Sequence, residues 1–126
     1  MQKAFLLLGA FFGFSGVALG AFGAHGLKSI LSSEMLEVFE TGVRYQLYHA
    51  FALLLTAIVH KQFPHRFNVI AGWFFTGGVI VFSGSLYALA VTEVRTLGMI
   101  TPLGGICFLF GWVFLILSAL KIKKEN

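Results

Sequence analysis

Hydrophobic residues are grouped in four long runs along the chain, and short polar segments separate the last three of them. The runs cover residues 4–24, 43–60, 68–90 and 98–120. Each is close to the roughly 17–25 residues that a helix needs to cross the hydrocarbon core of a bilayer. We therefore predict an all-α membrane protein, a four-transmembrane-helix bundle in which residues 1–126 form a single transmembrane domain.

The segment 27–41, between the first two runs, has a different pattern, in which apolar residues recur at helical spacing beside a polar face. Its apolar positions are Leu27, Ile30, Leu31, Met35, Val38 and Phe39. The segment is too short and too charged to span a bilayer. The pattern predicts a short interfacial amphipathic helix, capped by Ser33, that lies at the outer surface and turns near Gly42 into the second span.

Composition supports a membrane location. Hydrophobic residues make up 58% of the chain and charged residues only 11%, whereas soluble domains carry about 25% charged residues. A soluble chain of 126 residues could not bury so much apolar surface, so the lipid bilayer is the expected partner. The nine basic residues are dispersed at helix ends rather than aligned on one face, which argues against nucleic-acid binding.

The distribution of Lys and Arg predicts the orientation of the chain. With four spans, one side of the membrane holds six basic residues, namely Lys3, Lys61, Arg66, Lys121, Lys123 and Lys124. The other side holds three, namely Lys28, Arg44 and Arg95. Because cytoplasmic loops carry an excess of Lys and Arg, we expect a multi-pass protein of the cell membrane with both termini in the cytoplasm.

Small residues recur at helical intervals within the predicted spans. The first span contains Gly9, Gly13, Gly16, Gly20 and Gly23, the fourth contains Gly104, Gly111 and Ser118, and the third offers Gly77 and Gly84. Helices in lipid associate through close packing, which small residues permit. We predict that these positions line helix–helix contacts, either within one chain or with a second copy or another membrane protein.

Polar side chains are concentrated around the start of the second span. The candidate polar cluster comprises His25, Glu40, Arg44, Tyr45, Gln46, Tyr48 and His49. Since the first span ends at His25 and the second begins near Arg44, we expect these polar ends at similar depths. We expect His25, Arg44, Gln46 and His49 to lie within one connected network, because buried polar groups need partners. Two interpretations stay open: a structural hydrogen-bond network at the membrane interface, or a ligand, ion or proton site.

Motifs for common chemistry are missing from the sequence. It contains no HExxH, no GxSxG and no Gly-rich phosphate loop followed by Lys. Cys107 lies inside an apolar run without the Cys or His spacing of a metal site. We therefore expect no enzymatic activity, no cofactor and no metal.

Two motifs carry a family resemblance. Residues 20–27 read GAFGAHGL, and residues 41–50 read TGVRYQLYHA. In this order, the motifs resemble those of the domain of unknown function 423 family, small membrane proteins whose animal relatives are called transmembrane protein 256. The resemblance covers essentially the whole chain and implies a four-helix membrane protein without an established activity. It implies that the family's motif residues correspond to His25, Arg44, Tyr45, Gln46 and His49.

Three functions are compatible with the sequence. The leading hypothesis is a non-enzymatic integral membrane protein, accessory or structural in role, that packs and can self-associate through its glycine-lined faces. The first alternative is a small transporter or channel subunit that uses the polar cluster on the outer side. The second is a haem-binding or redox membrane protein, in which His25 and His49 would be the candidate ligands.

Overall fold

A computed structural model describes residues 1–124, and every regular element within this range is helical. The helices, in chain order, are α1 (Gln2–His25), α2 (Ser33–Gln62), α3 (Arg66–Gly78), α4 (Gly84–Thr92) and α5 (Thr101–Leu120). A π-helical segment, Val79–Ser83, joins α3 directly to α4, and a 3-10 helix, Arg95–Met99, precedes α5. The prediction of an all-helical chain is confirmed for these residues.

Three helical stretches are long and apolar enough to cross a membrane: Gln2–His25, Arg66–Thr92 and Arg95–Leu120. They correspond to the first, third and fourth hydrophobic runs of the sequence. The helix α2 is not among them. Even its more apolar part, from Gly42 onward, contains Arg44, Gln46 and His49, which lower its mean hydropathy.

The structure corrects the prediction of a separate interfacial helix over residues 27–41. Residues 26–31 form turns, whereas α2 runs from Ser33 through Gly42 to Gln62 without interruption. Its N-cap is Ser32 rather than Ser33, since the Ser32 hydroxyl accepts the backbone N–H of Met35 at 3.2 Å. Gly42 makes no turn; a Cβ there would lie 2.8 Å from the ring of Tyr87, so the glycine permits close packing on α4.

The helices pack as two antiparallel pairs. The start of α1 lies beside the end of α2, where Gly9 faces Leu54. The end of α5 lies beside the start of α3, where Ser118 donates a hydrogen bond to Asn68. The starts of α1 and α3 and the ends of α2 and α5 therefore share one end of the bundle, which we call the basic end.

Glycines on α1 form the contact with α2. A Cβ at four of them would lie 2.7–3.2 Å from an α2 side chain: Gly9 from Leu54, Gly16 from Leu47, Gly20 from Val43 and Gly23 from Phe39. Gly13 differs from the sequence-based expectation, because no atom lies within 4 Å of its Cβ position. These four contacts lie within one chain and do not require a second copy.

The second pair of helices also packs through glycine. Gly104 and Gly111 of α5 lie directly against Phe82 and Phe75, respectively. The predicted third-span pair, Gly77 and Gly84, has no neighbouring atom within 4 Å of either Cβ position. The close contacts of that span come instead from Gly72, against Phe5, and Gly78, against Phe108. The seven-residue spacing of glycines therefore predicted the contact residues of α5 correctly but not those of α3.

We expect Gly16→Leu to lower the thermal stability of the protein in detergent more than Gly13→Leu. Both substitutions add the same side chain to the same helix, so the gain in intrinsic helix propensity is equal. Only the Gly16 variant meets a packed neighbour, since its Cβ would lie 2.7 Å from Leu47. Overpacking of this kind costs about 1–3 kcal/mol. Equal unfolding temperatures for the two variants would contradict the assignment of the glycine face.

Candidate functional site

Two large polar side chains, Gln46 and His49, are buried on the inner face of α2. Their spacing of three residues places them on one side of the helix. Leu53 continues the same face into the apolar core. Gln46 and His49 are each 4% exposed, so their polar atoms depend on partners within the protein.

Gln46 joins three helices. Its Nε2 donates to the carbonyl oxygen of Phe12 at 3.0 Å and to the hydroxyl of Ser15 at 2.8 Å, both on α1. Its Oε1 accepts the hydroxyl of Tyr87 on α4 at 2.6 Å. Ser15 in turn donates to the carbonyl of Phe11 at 2.8 Å. The amide of Gln46 therefore has both donor hydrogens and its oxygen engaged.

His49 joins α2 to α5. Its Nδ1 lies 2.7 Å from the carbonyl oxygen of Tyr45, and its Nε2 lies 3.1 Å from the indole Nε1 of Trp112. A carbonyl can only accept and an indole N–H can only donate. The partners therefore fix the neutral tautomer with the proton on Nδ1. The ring also stacks on Phe108, with centroids 3.6 Å apart.

A third polar contact involves the π-helical segment. The hydroxyl of Ser83, at its last position, donates to the carbonyl oxygen of Gly42 at 2.7 Å. A π turn adds one residue per hydrogen-bonded ring and such turns are frequent at functional sites. Here the extra residue brings the Ser83 hydroxyl to α2, one turn from Gln46. This bond ties the third helical stretch to the same level of the bundle.

The other candidate residues lie on the surface. His25, Arg44, Tyr45 and Tyr48 are exposed, and Glu40 is half-buried. The guanidinium of Arg44 lies 3.8 Å from the carboxylate of Glu40, four residues earlier on the same helix. Such exposed pairs contribute little to stability. The structure thus buries two of the seven predicted residues, Gln46 and His49. Tyr45 lies at the edge of this cluster with its ring against Phe82, and the other four remain at the periphery.

His25 and His49 lie too far apart to belong to the one network that the sequence predicted for His25, Arg44, Gln46 and His49. Gly23 lies against Phe39 in the contact between α1 and α2. By the same antiparallel register, His25 lies level with the residues just before Phe39. At 1.5 Å per residue, the axial separation of the two histidines is about 16 Å. The expected connection between them is therefore not present in residues 1–124.

Sequence reasoning missed several partners of this cluster. Ser15 and Trp112 each stand next to a contact glycine, Gly16 and Gly111. A polar residue next to a contact glycine could therefore have been recognised in the sequence, because its side chain is close enough to bond to the neighbouring helix. The bond between Asn68 and Ser118 at the basic end was missed as well.

Two further features concern metal binding. Among residues 1–124, no three His, Cys, Asp or Glu side chains are grouped closely enough to hold a metal ion. Within the same range, Nδ1 of His60 is a buried side-chain nitrogen without a hydrogen-bond partner. His60 lies in the last turn of α2 at the basic end, away from Gln46 and His49.

Comparison with known proteins gives the family. Residues 19–105, which include both motifs and all the residues of α2, match the model of a protein family described as "Protein of unknown function (DUF423)". The chain belongs to this family. It is similar to the UPF0382 membrane protein YwdK of Bacillus subtilis, with 43% identity over 95% of this chain and 98% of that protein.

Other family members are equally similar. The UPF0382 membrane protein SH2409 of Staphylococcus haemolyticus is 45% identical over 95% of this chain and 98% of its own length. SSP2132 of Staphylococcus saprophyticus is 43% identical over 96% of this chain and its whole length. No solved structure matches the chain. These relatives are named membrane proteins, and this chain is a membrane protein with three long apolar helical stretches.

Proposed function

We propose that this DUF423 protein is a non-enzymatic integral protein of the cell membrane that crosses the bilayer four times and has an accessory or structural role. The observation that carries the proposal is the bonding of Gln46 and His49. The amide of Gln46 is engaged by α1 and α4, and the ring nitrogens of His49 are engaged by Tyr45 of α2 itself and by Trp112 of α5. Side chains occupied in this way hold a bundle together and have no free group for catalysis.

The fourth crossing would be made by α2. The starts of α1 and α3 lie at the same end of the bundle, so the chain between them has to return across it. The 30 residues of α2 span about 45 Å, which exceeds the hydrocarbon core of roughly 30 Å. Its acidic N-terminal turns would project beyond the lipid, and its apolar second half would lie within it.

The same contacts bear on the alternative functions. A haem held between His25 and His49 would need the two rings at one level, whereas they lie about 16 Å apart along the bundle axis. Ligation through His49 would also break its bond to Tyr45 or Trp112. A transport pathway through the cluster would have to open the stacked pair of His49 and Phe108. These observations favour the structural role.

Labelling of single cysteines tests the four crossings. In a Cys107→Ser background, which removes the one native thiol, we expect Ser29→Cys and Thr96→Cys to react in intact cells with a maleimide that cannot cross the membrane. Pro64→Cys should react only after the cells are opened. All three positions are exposed. Reaction of Ser29→Cys and Pro64→Cys from the same side would mean that α2 does not cross.

Purified protein tests the role of the cluster. We expect the absorbance spectrum between about 350 and 650 nm to show no haem. The native mass in detergent should equal a whole number of chains plus bound lipid, with no other ligand. Vesicles containing the protein should conduct protons no faster than empty ones. If the wild-type protein bound a ligand or conducted protons, and His49→Gln abolished that property, the cluster would be a functional site and the structural role would be refuted. The native mass also gives the number of copies.

A further inference from the structure

The basic end of the bundle contains an open pocket of about 290 Å³ between the loop after α2 and the end of α5. Its lining includes Phe63 and His65 of that loop, Ser118 in the last turn of α5, and Lys121 and Lys123 after it. From this pocket we infer a binding site for the phosphate of an anionic phospholipid headgroup. The inference rests on the proposed membrane crossing, which puts the helix ends at headgroup level, but not on which side of the membrane the termini lie.

Charge is the first argument for an anion. The two ion pairs found within residues 1–124 both lie at the opposite end of the bundle, so Lys121 and Lys123 have no acidic partner in that range. Glu125 follows Lys123 and Lys124 in the sequence and lies outside the described residues. Basic pockets between helices at a membrane surface are sites where anionic headgroups bind.

The donor set fits a phosphate. Nδ1 of His65 accepts the backbone N–H of Phe67 at 3.1 Å, so the neutral ring carries its proton on Nε2. His65 therefore adds a neutral donor to the two ammonium groups of Lys121 and Lys123. Phosphate oxygens accept several such bonds at once.

The base of the pocket is fixed by buried hydrogen bonds. Asn68, which is fully buried, donates to the carbonyl of Phe63 at 2.9 Å and accepts the hydroxyl of Ser118. These bonds attach the loop after α2 to the last turn of α5. The lining residues are thus held in place before a ligand arrives, which lowers the entropic cost of binding.

The surroundings distinguish a lipid from a free phosphate. The apolar side chain of Leu117, one helical turn before Lys121 on the same side of α5, is 36% exposed. Acyl chains attached to a headgroup in the pocket could cover this surface. A volume of about 290 Å³ is near the lower limit of small-molecule sites, roughly 300–1,000 Å³, and suits a headgroup without its chains.

Lipid binding to the full-length protein in neutral detergent tests the site. By native mass spectrometry and by thermal shift, we expect phosphatidylglycerol to bind in preference to phosphatidylcholine. The double variant Lys121→Gln/Lys123→Gln should weaken binding of phosphatidylglycerol about 10- to 30-fold, at roughly 1 kcal/mol per lysine. The matched control Lys3→Gln/Lys61→Gln removes the same charge at the same end without touching the pocket, and should keep nearly wild-type affinity.

Three outcomes would overturn the inference. Equal binding of the two lipids would exclude recognition of the headgroup charge. Equal weakening in both double variants would mean that the overall charge of this end attracts the lipid and the pocket does not. Stabilisation by millimolar inorganic phosphate, with displacement of the lipid, would make the ligand a soluble phosphate. Circular dichroism of each variant checks the fold, and the cysteine labelling tests the crossings independently.

Discussion

Replacing Gly104 by alanine should destabilise the protein by about 3 kcal/mol, the upper part of the range for overpacking a tight contact. A Cβ at this position would collide with the backbone nitrogen and Cα of Phe82 in the π-helical segment. Backbone atoms cannot rotate away as a side chain can, so α5 would have to move off the third helical stretch. The hydrogen bond between Ser85 and Thr101, 2.6 Å long, would be disturbed by the same movement.

Gly105→Ala is the matched control for this prediction. Gly105 is the next residue on α5, and its Cβ would meet only the ring of Phe82, at 3.9 Å. Alanine is favoured over glycine in a helix by about 1 kcal/mol, so this variant should unfold at or above the wild-type temperature. Thermal unfolding in detergent, followed by circular dichroism, measures both. Similar losses in the two variants would refute the close backbone contact.

The second large effect is expected at Gln46. Gln46→Leu keeps a side chain of similar size but removes three hydrogen bonds, to Phe12, Ser15 and Tyr87. Hydrogen bonds between helices in membranes contribute about 0.6 kcal/mol each on average and up to about 1.7 kcal/mol. Since the hydroxyl of Tyr87 would be left without its acceptor, we expect a total loss of roughly 2–3 kcal/mol.

A double-mutant cycle separates the hydrogen bond from packing. Tyr87→Phe removes one of the three bonds and should cost about 1 kcal/mol. If the bond exists, Gln46→Leu combined with Tyr87→Phe should cost less than the sum of the two single variants. Additive losses would mean that Gln46 and Tyr87 do not interact. A Gln46→Leu variant as stable as the wild type would contradict the structural role of the cluster altogether.

A structural role for the cluster agrees with the way it is built. Gln46 and His49 each contact helices that are distant in sequence, α1 and α4 for the first and α5 for the second. Lipid offers no hydrogen bonds, so polar groups inside a membrane bundle are satisfied by other helices. Directional bonds of this kind favour one rotation of each helix about its axis. Contacts between apolar side chains distinguish poorly between rotations, because lipid tails are as apolar as those side chains.

Sequence alone determined the helical class, the apolar stretches and part of the packing. The apolar runs are long enough to appear as helices without any tertiary information. The intervals of seven residues between Gly9, Gly16 and Gly23 repeat on one helical face, and all three contact α2. The polar character of Gln46 and His49 inside an apolar run already marked them as residues that need partners.

Tertiary structure alone decided which apolar face meets protein and which faces outward. In a soluble protein the polar side of a helix answers this question, but in these spans both sides are apolar, so periodicity carries little information. Gly13 and Gly77 therefore looked like contact residues although nothing packs against them. Gly42 suggested a turn, whereas it makes room for Tyr87. The partners of Gln46 and His49 depend on helix rotation, which no local pattern in the chain specifies.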